Sequence, residues 1–420
     1  MKPKTEKPRT RAIKRQEPAA AERPAEGAVS RTLFIQATQA LGAVLAFDYP
    51  ADAVLSRHFR DNRELGHRDR GFIAEAVYGV LRRLRWLRRI AGAEATPRML
   101  LLAWFARGEG WPMRNFEGLA SATERDWITS IKAAEAGEPS LAERADLPDW
   151  LAERLLAQMD GDALLERLQA DGVRAEPGRL SPQAIRLAGK PALQKHPLFL
   201  DGSFEVQDEG SQLLGLLVQP RRGELVVDFC AGAGGKTLQL GAMMRSTGRL
   251  YAFDVSEKRL AKLKPRMARA GLSNVHPVLI AHEADAKVKR LAGKADRVLV
   301  DAPCTGLGTL RRNPDLKWRQ SPAAVEEMVA KQGAILAAAA RVVRPGGRLV
   351  YATCSLLAEE NDGIVDAFLA AHPEFRALSA QEVLAAQGVA LETGERLRLL
   401  PHVHDTDGFF AAVMERAKGG

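Results

Sequence analysis

Each of the three cysteines in this chain lies in a short motif whose neighbouring residues also suit chemistry. Cys230 follows Asp228 and opens a glycine-rich stretch, Cys304 ends an Asp-Ala-Pro-Cys motif, and Cys354 is the centre of Thr-Cys-Ser. The residues before Cys304 and Cys354 are apolar and β-branched, which predicts two buried strands. Because parallel strands end at the same edge of a sheet, we expect these two thiols to meet over one nucleotide-type pocket.

The glycine-rich stretch is a candidate ligand loop made of Cys230, Ala231, Gly232, Ala233, Gly234, Gly235 and Lys236. A phosphate-binding Walker loop needs glycine where Cys230 stands, so the Gly-Lys-Thr that ends the stretch does not make one. A dinucleotide site accepts the glycines and Asp254 as a ribose ligand, but it gives no role to Cys304 and Cys354. S-adenosylmethionine needs the same loop and acid, and thiols supply the activation that its methyl acceptor requires.

Two thiols beside a methyl donor suit methylation at carbon 5 of cytosine. That carbon is a poor nucleophile until a group adds to carbon 6, and a thiolate is well suited to the addition. Loss of the carbon 5 proton then lets the thiol leave, so attack and release are separate tasks for two cysteines. Asp301 can hydrogen-bond the edge of the base. The alternative is that Cys304 and Cys354 are small buried hydrophobic residues.

The C-terminal half alternates strand and helix patterns, as in a doubly wound α/β sheet. The predicted strands cover residues 225–229, 250–254, 276–280, 297–301 and 348–354. The predicted helices cover residues 236–245, 257–270 and 323–343. Asp228, Asp254, Asp301 and Cys354 fall at the carboxyl ends of strands, where such sheets bind ligands.

The N-terminal part is predicted to be helical and basic. One apolar stripe joins Leu33 to Leu45 and another joins Ile73 to Leu87. The first 92 residues hold 19 Lys and Arg against 10 Asp and Glu, while the rest of the chain has 42 of each, so this part is expected to face a polyanion. Three arginines are predicted to share one helical face that binds RNA phosphates, with a solvated helix side as the alternative: Arg82, Arg85 and Arg89.

Composition divides the chain into four parts: a flexible basic tail (1–30), a helical domain (31–138), a contracted connector (139–205) and an α/β domain (206–420).

The chain is 46% hydrophobic and 27% charged, with a formal net charge of +9. It shows no membrane-length apolar stretch and no secretory signal pattern, which favours a cytoplasmic protein. The odd cysteine count argues against a disulfide framework, and no metal is expected.

Four motifs of the C-terminal half resemble those of the RNA 5-methylcytosine methyltransferases of the Sun/RsmB and NOL/NOP family. They occupy Val227–Leu238, Asp301–Asp315, Ala352–Asp362 and Asp405–Arg416. The resemblance implies a Rossmann-like class I methyltransferase sheet that uses S-adenosylmethionine to form 5-methylcytosine in RNA.

The same resemblance implies roles for individual residues. The family attacks with the cysteine of Thr-Cys-Ser and uses that of Pro-Cys in product release, which assigns Cys354 and Cys304. The cofactor is expected on Cys230 to Lys236, with its ribose on Asp254. Its adenine is expected near Asp285, with Glu283 as a rival, and Asp301 is expected between cofactor and base.

The N-terminal region is similar to the NusB-like RNA-binding domain of bacterial ribosomal members, notably over residues 69–82. This similarity implies small-subunit (16S) ribosomal RNA as the substrate. A transfer RNA 5-methylcytosine methyltransferase and a non-catalytic RNA-binding assembly factor are the alternatives. Arg311 and Arg312, which follow Cys304, are expected to contact RNA phosphates, with a surface role as the alternative.

Three positions depart from the family pattern. Ala233 stands where the glycine loop often has proline, and Asp405 replaces a common glycine. The usual Arg-x-Asn segment is absent between Met159 and Leu164, where the sequence predicts a contracted connector. We expect cofactor binding to tolerate the first change, because the loop glycines are kept.

Overall fold

The structure is a computed structural model that describes residues 29–133, 176–177, 179–186, 197–200, 202 and 205–418. Almost all of the predicted basic tail and most of the predicted connector lie outside these residues. The contraction predicted between Met159 and Leu164 also lies outside them.

Residues 29–133 form a helical domain around one apolar core. Its α-helices are α1 Arg31–Val44, α2 Ala51–Asp61, α3 His67–Arg82, α4 Leu84–Ala91, α5 Pro97–Ala103 and α6 Ala122–Ala133. Helix α1 begins after Ser30, whose hydroxyl accepts a hydrogen bond from the Leu33 N–H. The second predicted stripe, from Ile73 to Leu87, is fully buried at its apolar positions, as its helical spacing predicts.

The predicted arginine face is divided between two helices, so the expectation of a single helical face was wrong. Helix α3 ends at Arg82, and Arg83 leaves helical geometry with φ −122° and ψ 23°. The carbonyl of Arg82 accepts the Lys317 ammonium at 3.2 Å, and that of Leu81 accepts the Trp318 indole N–H at 3.3 Å. These tertiary partners replace helical donors at the end of α3, which explains a break that periodicity alone does not show.

A short segment links the two larger parts of the described chain. Strands β1 Glu176–Pro177 and β2 Ile185–Arg186 pair in antiparallel fashion, and helix α7 covers Pro197–Leu200. Helix α8, Glu209–Val218, then begins after Asp208, whose carboxylate accepts the Gly210 N–H at 2.9 Å. Asp208 is therefore the N-cap residue of α8.

The C-terminal domain is a twisted mixed sheet covered by helices. Its strands are β3 Leu225–Asp228, β4 Arg249–Asp254, β5 Val275–Leu279, β6 Ala295–Asp301, β7 Val343–Thr353, β8 Phe375–Leu378, β9 Leu397–Leu399 and β10 Phe409–Arg416. Its helices are α9 Gly235–Met243, α10 Glu257–Arg269, α11 Ala286–Lys289, α12 Leu316–Arg319, α13 Pro322–Ala340, α14 Asp362–Ala371, α15 Ala380–Ala385 and α16 Pro401–His404.

The strand order is β5-β4-β3-β6-β7-β10-β8, with β9 also paired to β10. Strands β3 to β7 run parallel, and β10 is antiparallel to its neighbours. From β3 the chain continues to β4 and β5 on one side of the sheet and then to β6 and β7 on the other side. This change of direction creates a crevice at the carboxyl ends of the strands, where such sheets bind ligands. The predicted Rossmann-like class I methyltransferase sheet is confirmed.

The helical domain contacts the C-terminal domain through the segment that follows the Asp-Ala-Pro-Cys motif. The Ala51 N–H donates to the buried Asp315 carboxylate at 3.3 Å, and Trp318 packs against the core of the helical domain. The loop that carries Cys304 is therefore anchored to both domains. Within the described ranges, no helix has both the length and the apolar character needed to cross a membrane.

Candidate active site

The glycine loop turns from β3 into α9 beneath an open cavity. Gly232 and Gly234 have φ values of +57° and +88°, a region that side chains with a Cβ rarely adopt. A Cβ at Gly234 would lie 2.2 Å from the Leu263 Cδ1 atom, so this glycine is also required by packing. A Cβ at Gly232 or Gly235 would meet no atom within 4 Å, which leaves room for a ligand to approach the backbone.

Asp254, at the end of β4, holds the glycine loop and also lines the cavity. Its carboxylate accepts the N–H groups of Gly232 at 2.8 Å and Ser256 at 2.7 Å, and it pairs with Arg259 at 2.9 Å. The acid is buried, so its orientation is fixed before a ligand enters. This geometry suits the predicted ribose contact.

The cavity has a volume of about 400 Å³ and is lined from both sides of the crevice. On one side, Val255, Ile280 and Glu283 form the wall expected to face an adenine ring. Asp285 is not among the lining residues. Its carboxylate accepts the N–H groups of Ala281 and Lys287, each at 2.8 Å, where α11 begins. The structure therefore favours Glu283 over Asp285 on the adenine wall.

Asp228, at the end of β3, lines the cavity, as its position at a strand end predicts. The Thr237 hydroxyl donates to its Oδ2 atom at 2.7 Å, while Oδ1 is buried and has no partner among the described residues. Burial raises the pKa of this carboxyl to about 7. The signal in the sequence was an acid at the end of the apolar strand Leu225–Asp228. A cationic or hydrogen-bond-donating group of a ligand would satisfy the Oδ1 atom of Asp228.

The two thiols meet at the end of the cavity. Cys304 follows β6 and Cys354 follows β7, and their Sγ atoms lie 3.3 Å apart. Beside them, the Lys236 ammonium contacts the Asp301 carboxylate at 2.8 Å. Both thiols, Lys236 and Asp301 line the same cavity as the glycine loop. The strand-end prediction is thus correct about the position of these groups.

The surroundings of the two thiols differ in charge. The hydrogen bond from Cys304 lowers the pKa of Cys354, and the Lys236 charge acts in the same direction. The same hydrogen bond and burial raise the pKa of Cys304. Burial alone would lower the pKa of Lys236, but the charge and hydrogen bond of Asp301, together with the charges of Asp228 and Cys354, outweigh burial and raise that pKa. The pair therefore favours a thiolate on Cys354 and a thiol on Cys304.

Cys230 lies on the same cavity but is separate in character from the thiol pair. Burial raises its pKa, and the nearby aspartates act in the same direction. All three cysteines are free thiols. Cys230 is thus best suited to lining the loop and not to nucleophilic attack.

Arg311 and Arg312 are engaged with carboxylates in the structure. Arg311 lies 3.6 to 3.9 Å from Asp208, Asp405 and Asp407, and Arg312 contacts Asp407, which is fully buried. Asp405 has φ +56°, so it adopts the left-handed geometry that explains the glycine common at this position. The predicted RNA contacts of Arg311 and Arg312 stay a prediction, and the observed role is to join the loop after Cys304 to the loop before β10.

The arginines of the helical domain are partly accessible. Arg82 and Arg85 are half-buried and Arg89 is exposed, while the Arg82 guanidinium lies 5.8 Å from the ring centre of Tyr78. Their contact with RNA stays a prediction. Across the described ranges, no group of three or more His, Cys, Asp or Glu residues has a metal-binding arrangement.

The sheet order, the glycine loop and the acid at the end of β4 define an S-adenosylmethionine-dependent methyltransferase domain. The family model described as "16S rRNA methyltransferase RsmB/F" matches residues 215–415. A probable ribosomal RNA small subunit methyltransferase B from Synechocystis is 31% identical, over 88% of this chain and 95% of that protein. The chain belongs to the RsmB/F methyltransferase family.

Two further proteins extend the comparison. A probable ribosomal RNA small subunit methyltransferase B from Bacillus subtilis is 29% identical, over 85% of this chain and 93% of that protein. The crystal structure of PH0851 superposes with a TM-score of 0.73 at 24% identity, over 92% of this chain and 99% of that one. The second likeness supports the fold across both described domains.

We expect Asp254→Ala to weaken S-adenosylmethionine binding by about 1 to 3 kcal/mol, because loss of the carboxylate leaves buried N–H groups unpaired. Titration calorimetry measures this change. Glu257→Ala, which removes an exposed acid three residues away, is the matched control and should leave the affinity unchanged. Equal affinities for Asp254→Ala and the unmodified protein would remove Asp254 from the site.

Proposed function

We propose that the chain forms 5-methylcytosine in small-subunit (16S) ribosomal RNA by addition of Cys354 to carbon 6 of the base. The 3.3 Å approach of Cys304 and Cys354 at the cavity end carries this proposal. Two thiols with opposite pKa shifts fit a reaction in which one attacks and the other assists release. The ribosomal RNA substrate is supported by the names of the related proteins and by the predicted RNA-binding role of the helical domain.

The residues of the cavity fit S-adenosylmethionine. The glycine loop leaves space for close backbone approach, Asp254 suits the ribose hydroxyls, and Glu283 suits the adenine edge. The free Oδ1 atom of Asp228 suits an ammonium group. When bound, S-adenosylmethionine supplies an electrophilic methyl group.

Catalysis by the protein then depends on Cys354, Cys304, Asp301 and Lys236. The Cys354 thiolate forms a bond to carbon 6, which makes carbon 5 nucleophilic. After carbon 5 gains its methyl group, loss of the carbon 5 proton restores the ring double bond and the bond from Cys354 to carbon 6 breaks. Once Cys354 is bonded to carbon 6, Cys304 gives its own proton to solvent and, as a thiolate, accepts the carbon 5 proton, while Cys354 leaves as the thiolate. Asp301 hydrogen-bonds the base edge, and Lys236 fixes the Asp301 carboxylate.

The RNA has to present an unstacked cytosine. A thiol reaches carbon 6 from above the ring plane, so the target base must leave any stack and enter the cavity. Arg85 and Arg89 of α4 are proposed to bind phosphates at a distance from the site, which positions the RNA without reading its sequence. These phosphate contacts are part of the proposal that ribosomal RNA is the substrate.

Bisulfite sequencing of RNA from cells with and without this gene tests the proposed function. We expect one or a few small-subunit ribosomal cytosines to lose protection when the gene is absent. Restoration by the intact gene, but not by one encoding Cys354→Ala, attributes the modification to this active site. Loss of protection in transfer RNA alone would support the transfer RNA alternative, and no loss in either RNA would support a non-catalytic assembly factor.

A further inference from the structure

Glu360 is a buried carboxylate that receives four hydrogen bonds between the two thiol-bearing loops. Its Oε1 atom accepts the Thr305 N–H at 2.9 Å and the Gln332 amide at 3.0 Å. Its Oε2 atom accepts the Thr305 hydroxyl at 2.6 Å and the Ser355 hydroxyl. All four donors are neutral groups, and each of the two carboxylate oxygens accepts two hydrogen bonds.

These partners are the immediate neighbours of the reactive cysteines. Thr305 follows Cys304, and Ser355 follows Cys354. Gln332 also donates to the Pro303 carbonyl at 2.9 Å, so the residues on both sides of Cys304 are held by the same group of contacts. One carboxylate thus connects two strand ends that lie 50 residues apart in sequence.

The remaining contacts show that the connection is rigid. The Gln320 amide donates to the Thr305 carbonyl at 3.0 Å, and the Tyr351 hydroxyl donates to the Glu360 carbonyl at 2.7 Å. Burying a charge at such a position is costly compared with an apolar packing contact. A positioning role in the reaction gives a reason for a charge at this point.

The contact between the two thiols acts in opposite directions on their pKa values. The hydrogen bond with Cys354 and burial are the larger causes that raise the pKa of Cys304. The same hydrogen bond is the largest cause that lowers the pKa of Cys354. The negative charge of Glu360 raises the pKa of both thiols, so the difference between them depends on the 3.3 Å contact of their Sγ atoms.

We propose that Glu360 is a positioning residue that holds the two thiol loops together and so keeps the Sγ atoms of Cys304 and Cys354 within hydrogen-bonding distance. Cys354 is then the thiolate whenever the pair has lost one proton. The link to catalysis rests on the proposed cytosine chemistry, in which Cys354 attacks. The placement of the proton itself does not depend on that chemistry.

Alkylation of the purified protein tests the proton placement without RNA. Iodoacetamide is expected to modify Cys354 before Cys304, and mass spectrometry of the digested protein gives the ratio of the two initial rates. Glu360→Gln keeps the side-chain shape but replaces one accepting oxygen by an amide that donates, so the connection between the thiol loops weakens and the ratio should fall by about tenfold, the change that one pKa unit of difference produces. Glu327→Gln, which removes an exposed carboxylate on α13, is the control and should keep the ratio. An unchanged ratio in Glu360→Gln would overturn the proposal.

Single-turnover methyl transfer tests the link to catalysis. We expect Glu360→Gln to slow transfer by roughly 10-fold to 100-fold, the range that misplaced reacting groups produce, with unchanged S-adenosylmethionine affinity. Weakening the hydrogen bond from Cys304 raises the pKa of Cys354, so the acid limb of the pH–rate profile should also move to higher pH. This movement should disappear in a Cys304→Ala background, where there is no second thiol to hold the proton.

The outcomes separate the two proposals. An unmodified protein that transfers no methyl group to RNA would contradict the proposed function, while the alkylation ratio would still decide the proton placement. A slower Glu360→Gln enzyme whose alkylation ratio and acid limb both match the unmodified protein has lost only structural support, and this result would overturn the proposal. Urea unfolding of each variant measures that structural contribution.

Discussion

Cys354→Ala is expected to reduce methyl transfer by roughly 10⁴-fold or more, because loss of a covalent nucleophile removes the reaction path itself. The variant should form no covalent protein–RNA conjugate. Cys304→Ala should still attack carbon 6 and gain the methyl group, but it should release the product slowly and accumulate a conjugate. Denaturing gel electrophoresis with labelled RNA measures the conjugate, and labelled S-adenosylmethionine shows whether it carries the methyl group.

The double variant Cys304→Ala with Cys354→Ala is the control, since a conjugate that depends on Cys354 must disappear in it. S-adenosylmethionine affinity should be similar in all three variants, because the proposed cofactor contacts are on the glycine loop and Asp254, which these substitutions do not change. The opposite pattern, with conjugate in Cys354→Ala alone, would reassign the attack to Cys304. It would also contradict the pKa shifts of the pair, which favour the thiolate on Cys354.

The sequence predicted the five parallel strands β3 to β7, four of which are mostly apolar runs that end in a polar residue, but it did not predict β8, β9 or β10. The strand predicted over residues 225–229 is observed as Leu225–Asp228, and that over 297–301 as Ala295–Asp301. Side chains at the strand ends converge by topology alone, so Cys304, Cys354 and Asp301 were placed correctly without any contact information.

Features that depend on tertiary contacts were not predictable in the same way. The break after Arg82 depends on donors from Lys317 and Trp318, more than 230 residues further along the chain. Glu360 lies in the Ala352–Asp362 motif, but the sequence does not show that Thr305 and Ser355 both donate hydrogen bonds to its carboxylate. A local pattern carries no information about such partners.

The choice between Glu283 and Asp285 illustrates a different limit. Both acids follow β5, and sequence alone left them as rivals for the adenine contact. Capping geometry separates them, because Asp285 accepts two backbone N–H groups at the start of α11 while Glu283 lines the cavity. An acid near the start of a helix can either cap the helix or face a ligand, and the backbone geometry determines which of the two it does.

Gly308, in the loop after Cys304, contacts the loop before β10 through backbone hydrogen bonds. The Gly308 N–H donates to the Cys354 carbonyl at 2.8 Å, and the Gly308 carbonyl accepts the Gly408 N–H at 2.8 Å. A Cβ on Gly308 would lie 2.2 Å from the Gly408 oxygen and 2.8 Å from the Cys354 oxygen. Both are backbone atoms, so neither can move aside by a side-chain rotation.

We therefore expect Gly308→Ala to separate the loops that carry the two thiols. Methyl transfer should fall by roughly 100-fold, the cost of about 1 Å of misplacement, and the free energy of unfolding should fall by about 1 to 3 kcal/mol, as for other overpacked sites. Single-turnover kinetics and urea unfolding measure the two effects, and S-adenosylmethionine affinity should stay within a few-fold. Gly333→Ala on α13 is the matched control, because its Cβ meets nothing within 4 Å and a helical alanine should stabilise the protein by about 0.5 to 1 kcal/mol. Unmodified transfer rates in Gly308→Ala would show that the contact between Gly308, Gly408 and Cys354 does not set the positions of the thiols.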